Sequence, residues 1–163
     1  MRVVRTLVLG SFAGSLLLAL LWIAPAHAKV TVIFAGDPDR YTDVRNHGLS
    51  MAGEIKAYIL RLGARYVPPN QNLKITILDI DLAGMDETFR NPSLPRIMRE
   101  STWPRIRLRY ELTQNRRVIS TGNELVSNQM YLGSLGMTSS GDPLRYEKNM
   151  LDDWFRKKFA AGR

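Results

Sequence analysis

The sequence predicts an α+β domain in which a mostly antiparallel four-stranded sheet carries two helices on one face, in the order β-α-β-β-β-α. Three observations lead to this fold class. Four segments have the β-branched composition or the alternation of strands, and two longer segments repeat apolar residues at helical spacing. Each helical stripe needs an apolar surface to cover it, and one side of an alternating sheet supplies that surface.

The first strand and the first helix are predicted from the segment after residue 28. Val30–Phe34 is β-branched and aromatic and ends at Gly36-Asp37-Pro38. A helix is expected to begin near Thr42 or Asp43 and to end before Pro68-Pro69, because proline cannot continue it. Its apolar stripe recurs at spacings of three and four: Leu49, Ala52, Ile55, Ile59 and Leu62.

Three further strands follow. Leu73–Leu82 is apolar at both odd and even positions, which predicts a strand with two apolar faces. Met85–Trp103 has no clear period and predicts a loop, with a short strand near Ile97. Arg105–Leu112 alternates cleanly and predicts a hairpin with Val118–Val126.

The last helix follows a Gly- and Ser-rich loop at Gly133–Gly141. Asp142 is the expected N-cap and Pro143 the expected first helical residue. Leu144, Leu151, Phe155 and the neighbouring Trp154 and Phe159 form the predicted buried side.

Residues 1–28 have the pattern of a secretory signal peptide, which leaves a single domain at 29–163. Arg2 and Arg5 precede the uncharged run Thr6–Ile23, and Ala26-His27-Ala28 offers small residues to signal peptidase. The alternative is an uncleaved anchor, since the apolar run approaches spanning length. The chain has no cysteine, which excludes lipidation at an N-terminal Cys, disulfides and thiol chemistry.

The charge balance favours anionic partners. The chain has 23 Lys and Arg against 15 Asp and Glu, a formal net charge of +8. An exported basic domain could bind anionic lipid, lipopolysaccharide or another periplasmic protein, although a charge of this size also serves solubility alone. No cofactor is indicated.

Several sequence blocks resemble one family. They are Tyr41-Thr42-Asp43, Tyr66-Val67-Pro68-Pro69, the Asp-Ile-Asp-Leu-Ala-Gly block at 79–84, Pro104-Arg105-Ile106-Arg107-Leu108 and the run that opens with the Tyr-Glu-Lys block at 146–148. With them the chain resembles a family of secreted bacterial proteins classed only as a domain of unknown function. The resemblance implies a Gram-negative, periplasmic setting. It implies no activity and carries over no catalytic residue.

Asp79 and Asp81 are candidate metal ligands. At positions i and i+2 of a strand, their carboxyl groups would share a face about 6–7 Å apart. That spacing could hold a divalent cation or serve paired-carboxylate hydrolysis. Alternatively, either residue could cap the turn at Ala83-Gly84 or pair with an arginine on a neighbouring strand.

Arg105, Arg107 and Arg109, named the arginine row here, are candidate anion ligands together with Arg116 and Arg117 at the adjacent turn. Guanidinium groups bind phosphate and carboxylate in bidentate fashion. The alternative is an ordinary solvated sheet face. No aromatic residue alternates with the arginines, which disfavours nucleic acid as a partner.

The leading functional hypothesis is a non-enzymatic periplasmic binding or assembly module for an anionic partner. No catalytic residue is assigned, because His47 is the only histidine beyond residue 28 and no nucleophile-elbow motif accompanies it. One alternative is a metal-assisted hydrolase that uses Asp79 and Asp81. Another is a structural protein-interaction domain that uses the Gly/Ser loop.

Cleavage between Ala28 and Lys29 is the first testable expectation, because Ala26 and Ala28 supply the small side chains that signal peptidase requires. Intact-mass measurement of the protein recovered from an osmotic-shock fraction should give a chain that begins at Lys29. A membrane-bound chain that retains Met1 would contradict the expectation.

Overall fold

Four strands form one mixed sheet in the spatial order β1-β2-β3-β4. The structure is a computed structural model and describes residues 28–37, 41, 49–85, 96–133 and 141–160. The first strand pairs in parallel with the second, and the other two pairs are antiparallel. The predicted α+β class is confirmed, with one parallel pair in the sheet. The strands are β1 (Lys29–Phe34), β2 (Gln71–Asp81), β3 (Arg105–Gln114) and β4 (Arg117–Ser127).

Helix α1 (Leu49–Tyr66) connects β1 to β2, and a crossover of this length lets the two strands run in the same direction. Ala52, Ile55, Ile59 and Leu62 of its predicted stripe are buried, with Ile55 and Ile59 fully inaccessible. Helix α2 (Arg145–Phe159) lies beside α1 and buries Leu151 and Phe155. All of these side chains belong to one core with the inward residues of the strands, so both helices cover the same side of the sheet. No described helix is long and apolar enough to cross a membrane.

The start of α2 differs from the prediction. Asp142 Oδ1 accepts a hydrogen bond from the Leu144 amide at 2.8 Å, and the Asp142 carbonyl accepts one from the Arg145 amide at 3.2 Å. These bonds close a turn before the helix, so α2 begins at Arg145 and the prediction of Asp142 as its N-cap is wrong by two residues. The predicted helix start at Thr42 or Asp43 lies outside the described residues.

A bulge in β2 overturns the expectation of two apolar faces. The pairing with β3 runs Ile77 to Leu108 and then Asp79 to Arg107, so Leu78 is the additional residue. Because one extra residue reverses the alternation, Ile80 faces the same side as Ile77. One side of β2 is therefore apolar along its length, and Asp79 and Asp81 both lie on the other.

The β3–β4 hairpin is formed around a two-residue turn. Asn115 and Arg116 have φ of 50° and 64°, the pattern of the turns that match the twist of the flanking strands. Within β4, Gly122 lies opposite Tyr110, and a Cβ at Gly122 would be 2.8 Å from Tyr110 Cε1. Tyr110 is held by edge-to-face contacts with Trp154 and Phe159, so its ring has little room to move.

A second apolar cluster closes the end of the sheet at which β2 terminates. Met85 and Ile97 form an isolated bridge, where the sequence predicts a short strand. A short 3-10 helix, Tyr131–Gly133, presents Tyr131 edge-to-face to Tyr146, with 4.7 Å between the ring centroids. Ala83 completes this cluster, which joins α2 to the segment after β2.

Gly122→Ala should lower the free energy of unfolding by about 1–3 kcal/mol, because the added methyl overpacks against Tyr110. Gly53→Ala in α1 is the matched control: nothing lies within 4 Å of its added Cβ, and alanine favours a helix by about 1 kcal/mol over glycine. Urea denaturation of both variants should give shifts of opposite sign. A neutral Gly122→Ala variant would contradict the packing described for Tyr110.

Candidate functional site

The side of the sheet that faces away from both helices carries the predicted site residues. On β3, Ile106 and Leu108 are fully buried beneath the helices, whereas Arg107 and Arg109 are exposed. Cross-strand register places the outward residues of β2 beside the arginine row. We call this surface the outer face and define it by Lys74, Asp79, Asp81, Arg105, Arg107, Arg109 and Glu111.

Asp81 forms an ion pair with Arg105, its cross-strand partner. The pair is only partly buried, since 20% of the Asp81 side chain and 43% of the Arg105 side chain are exposed. The Arg105 guanidinium also lies 5.3 Å from the centroid of the Trp103 ring. Of the alternatives considered for Asp81, the structure thus shows pairing with an arginine on the neighbouring strand.

Asp79 lies opposite Arg107 in the β2–β3 register. Burial raises the pKa of the nearby Tyr41, and the charge of Asp79 raises it further, against a backbone hydrogen bond that lowers it. In the described ranges, no group of three or more His, Cys, Asp or Glu side chains could hold a metal ion. A metal at Asp79 and Asp81 would therefore have two carboxylates, and one of them already binds Arg105.

The other predicted anion ligands have no carboxylate opposite them. Arg109 Nε donates to Asn123 Oδ1 at 2.9 Å, and the strand partners of Arg109 are Thr76 and Asn123. Arg116 lies in the hairpin turn. Arg117 pairs with Gln114, and alternation along β3 from the outward Arg109 places both on the helix-bearing side of the sheet. The arginines therefore form two groups, one opposite the aspartates and one toward the hairpin tip. Ten residues of β3 span about 30 Å, so the set fits an extended anionic surface better than one small anion.

Glu147 forms a buried polar centre to which the sequence analysis assigned no role. Its side chain is fully inaccessible, and Oε1 accepts a hydrogen bond from the Ala83 amide at 2.7 Å. Arg96 Nη1 lies 3.4 Å from the same oxygen and donates to the Ala83 carbonyl at 3.0 Å. The other end of the Arg96 guanidinium donates to the Pro143 carbonyl. One ion pair therefore joins the end of β2, the start of α2 and the segment at residue 96.

The sequence itself indicates that the side chain of Glu147 is buried. Glu147 lies three residues after Leu144 and four before Leu151, on the apolar stripe of α2. A glutamate on a buried stripe needs a partner, because an unpaired buried charge is costly. The partner comes from the segment at Arg96, which has no periodicity, so its position could not be predicted.

The family comparison covers every strand and most of α2. The pattern of the family described as "Protein of unknown function (DUF3016)" matches residues 28–157. The chain belongs to the DUF3016 family. This confirms the resemblance to a domain of unknown function. No curated protein and no solved structure matches the chain.

Two of the blocks that carry the resemblance meet in this DUF3016 chain. The Asp-Ile-Asp-Leu-Ala-Gly block contains the end of β2, and the Tyr-Glu-Lys block lies in the first turn of α2. Their contact is the bond from the Ala83 amide to Glu147. Glu147 is sealed from solvent and its partners are structural, so it stabilises the DUF3016 fold, whereas Arg107 and Arg109 of the outer face are exposed to solvent.

Proposed function

We propose that this protein is a non-enzymatic module of the periplasm that binds an anionic partner with the outer face of its sheet. The observation that supports the proposal is the separation of the two sheet sides. Both helices occupy the side that bears Ile106 and Leu108, and the arginine row lies on the other. Such a face is open to a large, flat partner.

The charge of the outer face favours contact near the hairpin tip. With Lys29 of β1 included, the outward strand residues provide five cations against three carboxylates, and two of these carboxylates lie opposite Arg105 and Arg107. Arg109 and Arg116 have no carboxylate in register. These two guanidinium groups are therefore the side chains with which phosphate groups would pair first.

An anionic membrane surface is the partner that this arrangement fits best. Apolar side chains lie exposed at both edges of the sheet, with Ile33 on β1 and Val118 on β4. Their strand partners are outward residues, so these side chains flank the cations. Cations flanked by apolar groups suit the boundary between phosphate headgroups and acyl chains.

Cosedimentation with vesicles tests the proposal. The full mature chain should bind phosphatidylglycerol vesicles at 0.1 M salt and release them at 1 M, because the Debye length falls from about 10 Å to about 3 Å. Arg107/Arg109/Arg116→Gln removes three cations of this face and its turn and should weaken binding on the order of a hundredfold, at about 1 kcal/mol for each cation near the surface. Lipopolysaccharide micelles form a second arm and distinguish a lipid A partner from a general anionic bilayer.

The matched control removes three cations from α1. Lys56/Arg61/Arg65→Gln changes the net charge by the same amount on the helical side of the molecule. It should bind vesicles as the wild type does, and both triple variants should melt within a few degrees of the wild type. Equal loss of binding in the two variants would contradict docking by the outer face and indicate attraction by net charge alone. Binding to phosphatidylcholine vesicles at 1 M salt would contradict an electrostatic partner altogether.

A further inference from the structure

A groove of about 260 Å³ lies between strand β4 and helix α2, away from the centre of the outer face. Its size is just below the range of about 300–1,000 Å³ for small-molecule pockets, which favours a few side chains over a cofactor. Val126 and Met150 are buried at its floor, and Trp154 is partly exposed. The groove is lined chiefly by Leu125, Val126, Asn128, Met150, Trp154 and Lys157.

Strand β4 is an edge of the sheet. Within the described ranges it pairs with β3 alone, and it is eleven residues long. The backbone groups on its open side can therefore pair with an added strand, and a long edge strand is a template for such addition. Every second side chain of a strand added beside Leu125–Asn128 would enter the groove.

The charges at the groove indicate which charged side chain an added strand would carry. Asp153 pairs with Arg156, and Glu124 accepts a hydrogen bond from Lys158 at 2.5 Å. Lys157 is exposed at the groove and forms no ion pair with any described residue. An added strand with a carboxylate next to its inserted apolar side chain would complement this cation.

We propose that the β4–α2 groove binds an extended segment of a partner protein by strand addition. The segment pairs with the open edge of β4, inserts an apolar side chain against Trp154 and Met150, and places a carboxylate beside Lys157. Four residues of β4 and two turns of α2 limit the groove to about 10–13 Å, the length of three or four extended residues. This is a second surface, independent of the outer face.

A phage-displayed library of random heptapeptides is the probe, selected against the full mature chain. The expected result is enrichment of peptides with an apolar residue next to Asp or Glu. A synthetic peptide of the enriched sequence should shift the amide resonances of Leu125–Asn128 and of Asp153–Lys157. Amides of β4 that exchange freely without the peptide should become protected when it binds.

Two variants separate this site from the outer face. Lys157→Gln should weaken the peptide roughly fivefold, the effect of one partly exposed ion pair. Lys74→Gln removes the same charge from the outer face and should leave peptide affinity unchanged. Vesicle binding should respond to the arginine variants and not to the peptide, so the two proposals fail separately. Three results would overturn the peptide site. The selected peptides could share no common pattern, or the peptide could shift resonances on the outer face. Alternatively, ultracentrifugation could show that the protein forms a concentration-dependent dimer, with β4 resonances that change as the dimer forms.

Discussion

The buried carboxylate of Glu147 fixes helix α2 against the end of strand β2. The position of α2 in turn leaves the outer face and the β4–α2 groove exposed. The carboxylate binds the backbone at the end of β2 and faces Arg96, whose guanidinium also holds carbonyls at Ala83 and before α2. Oε2 of Glu147 is buried without a hydrogen-bond partner in the described part of the chain. Loss of Arg96 would leave the whole charge uncompensated, which is why breaking such a pair is costly.

With α2 held at that point, both helices pack against the inner side of the sheet. Phe155 and Phe159 extend along it toward Tyr110, and α1 covers the half nearer β1. The two surfaces proposed for binding lie outside this packed side. One is the outer face with its arginine row, and the other is the groove where α2 approaches the edge strand. Each proposal concerns one of these surfaces, and neither requires the buried centre to react.

The periodicity of apolar residues in the sequence predicted the features that depend only on local residue spacing. The stripes of α1 and α2, the hairpin and the outward direction of the arginine row could all be derived, because alternation and helical spacing survive folding unchanged. The bulge at Leu78 could not, because it is decided by pairing with β3, and it moved Ile80 to the inner side. The aspartates were candidate ligands on spacing alone, and only the register showed that Asp81 meets Arg105. The burial of Glu147 follows from its place on the apolar stripe of α2, whereas its partner Arg96 could not be predicted.

A double-mutant cycle at Glu147 and Arg96, measured by urea denaturation, tests most directly whether this ion pair fixes α2 to the sheet. Glu147→Gln leaves Arg96 unpaired and Arg96→Met leaves Glu147 unpaired, so each alone should cost about 3–5 kcal/mol. The double variant leaves no unpaired charge and should cost clearly less than the sum of the two. Two single costs below about 1 kcal/mol that simply add would contradict the account, because they would mean that the buried pair does not hold the fold.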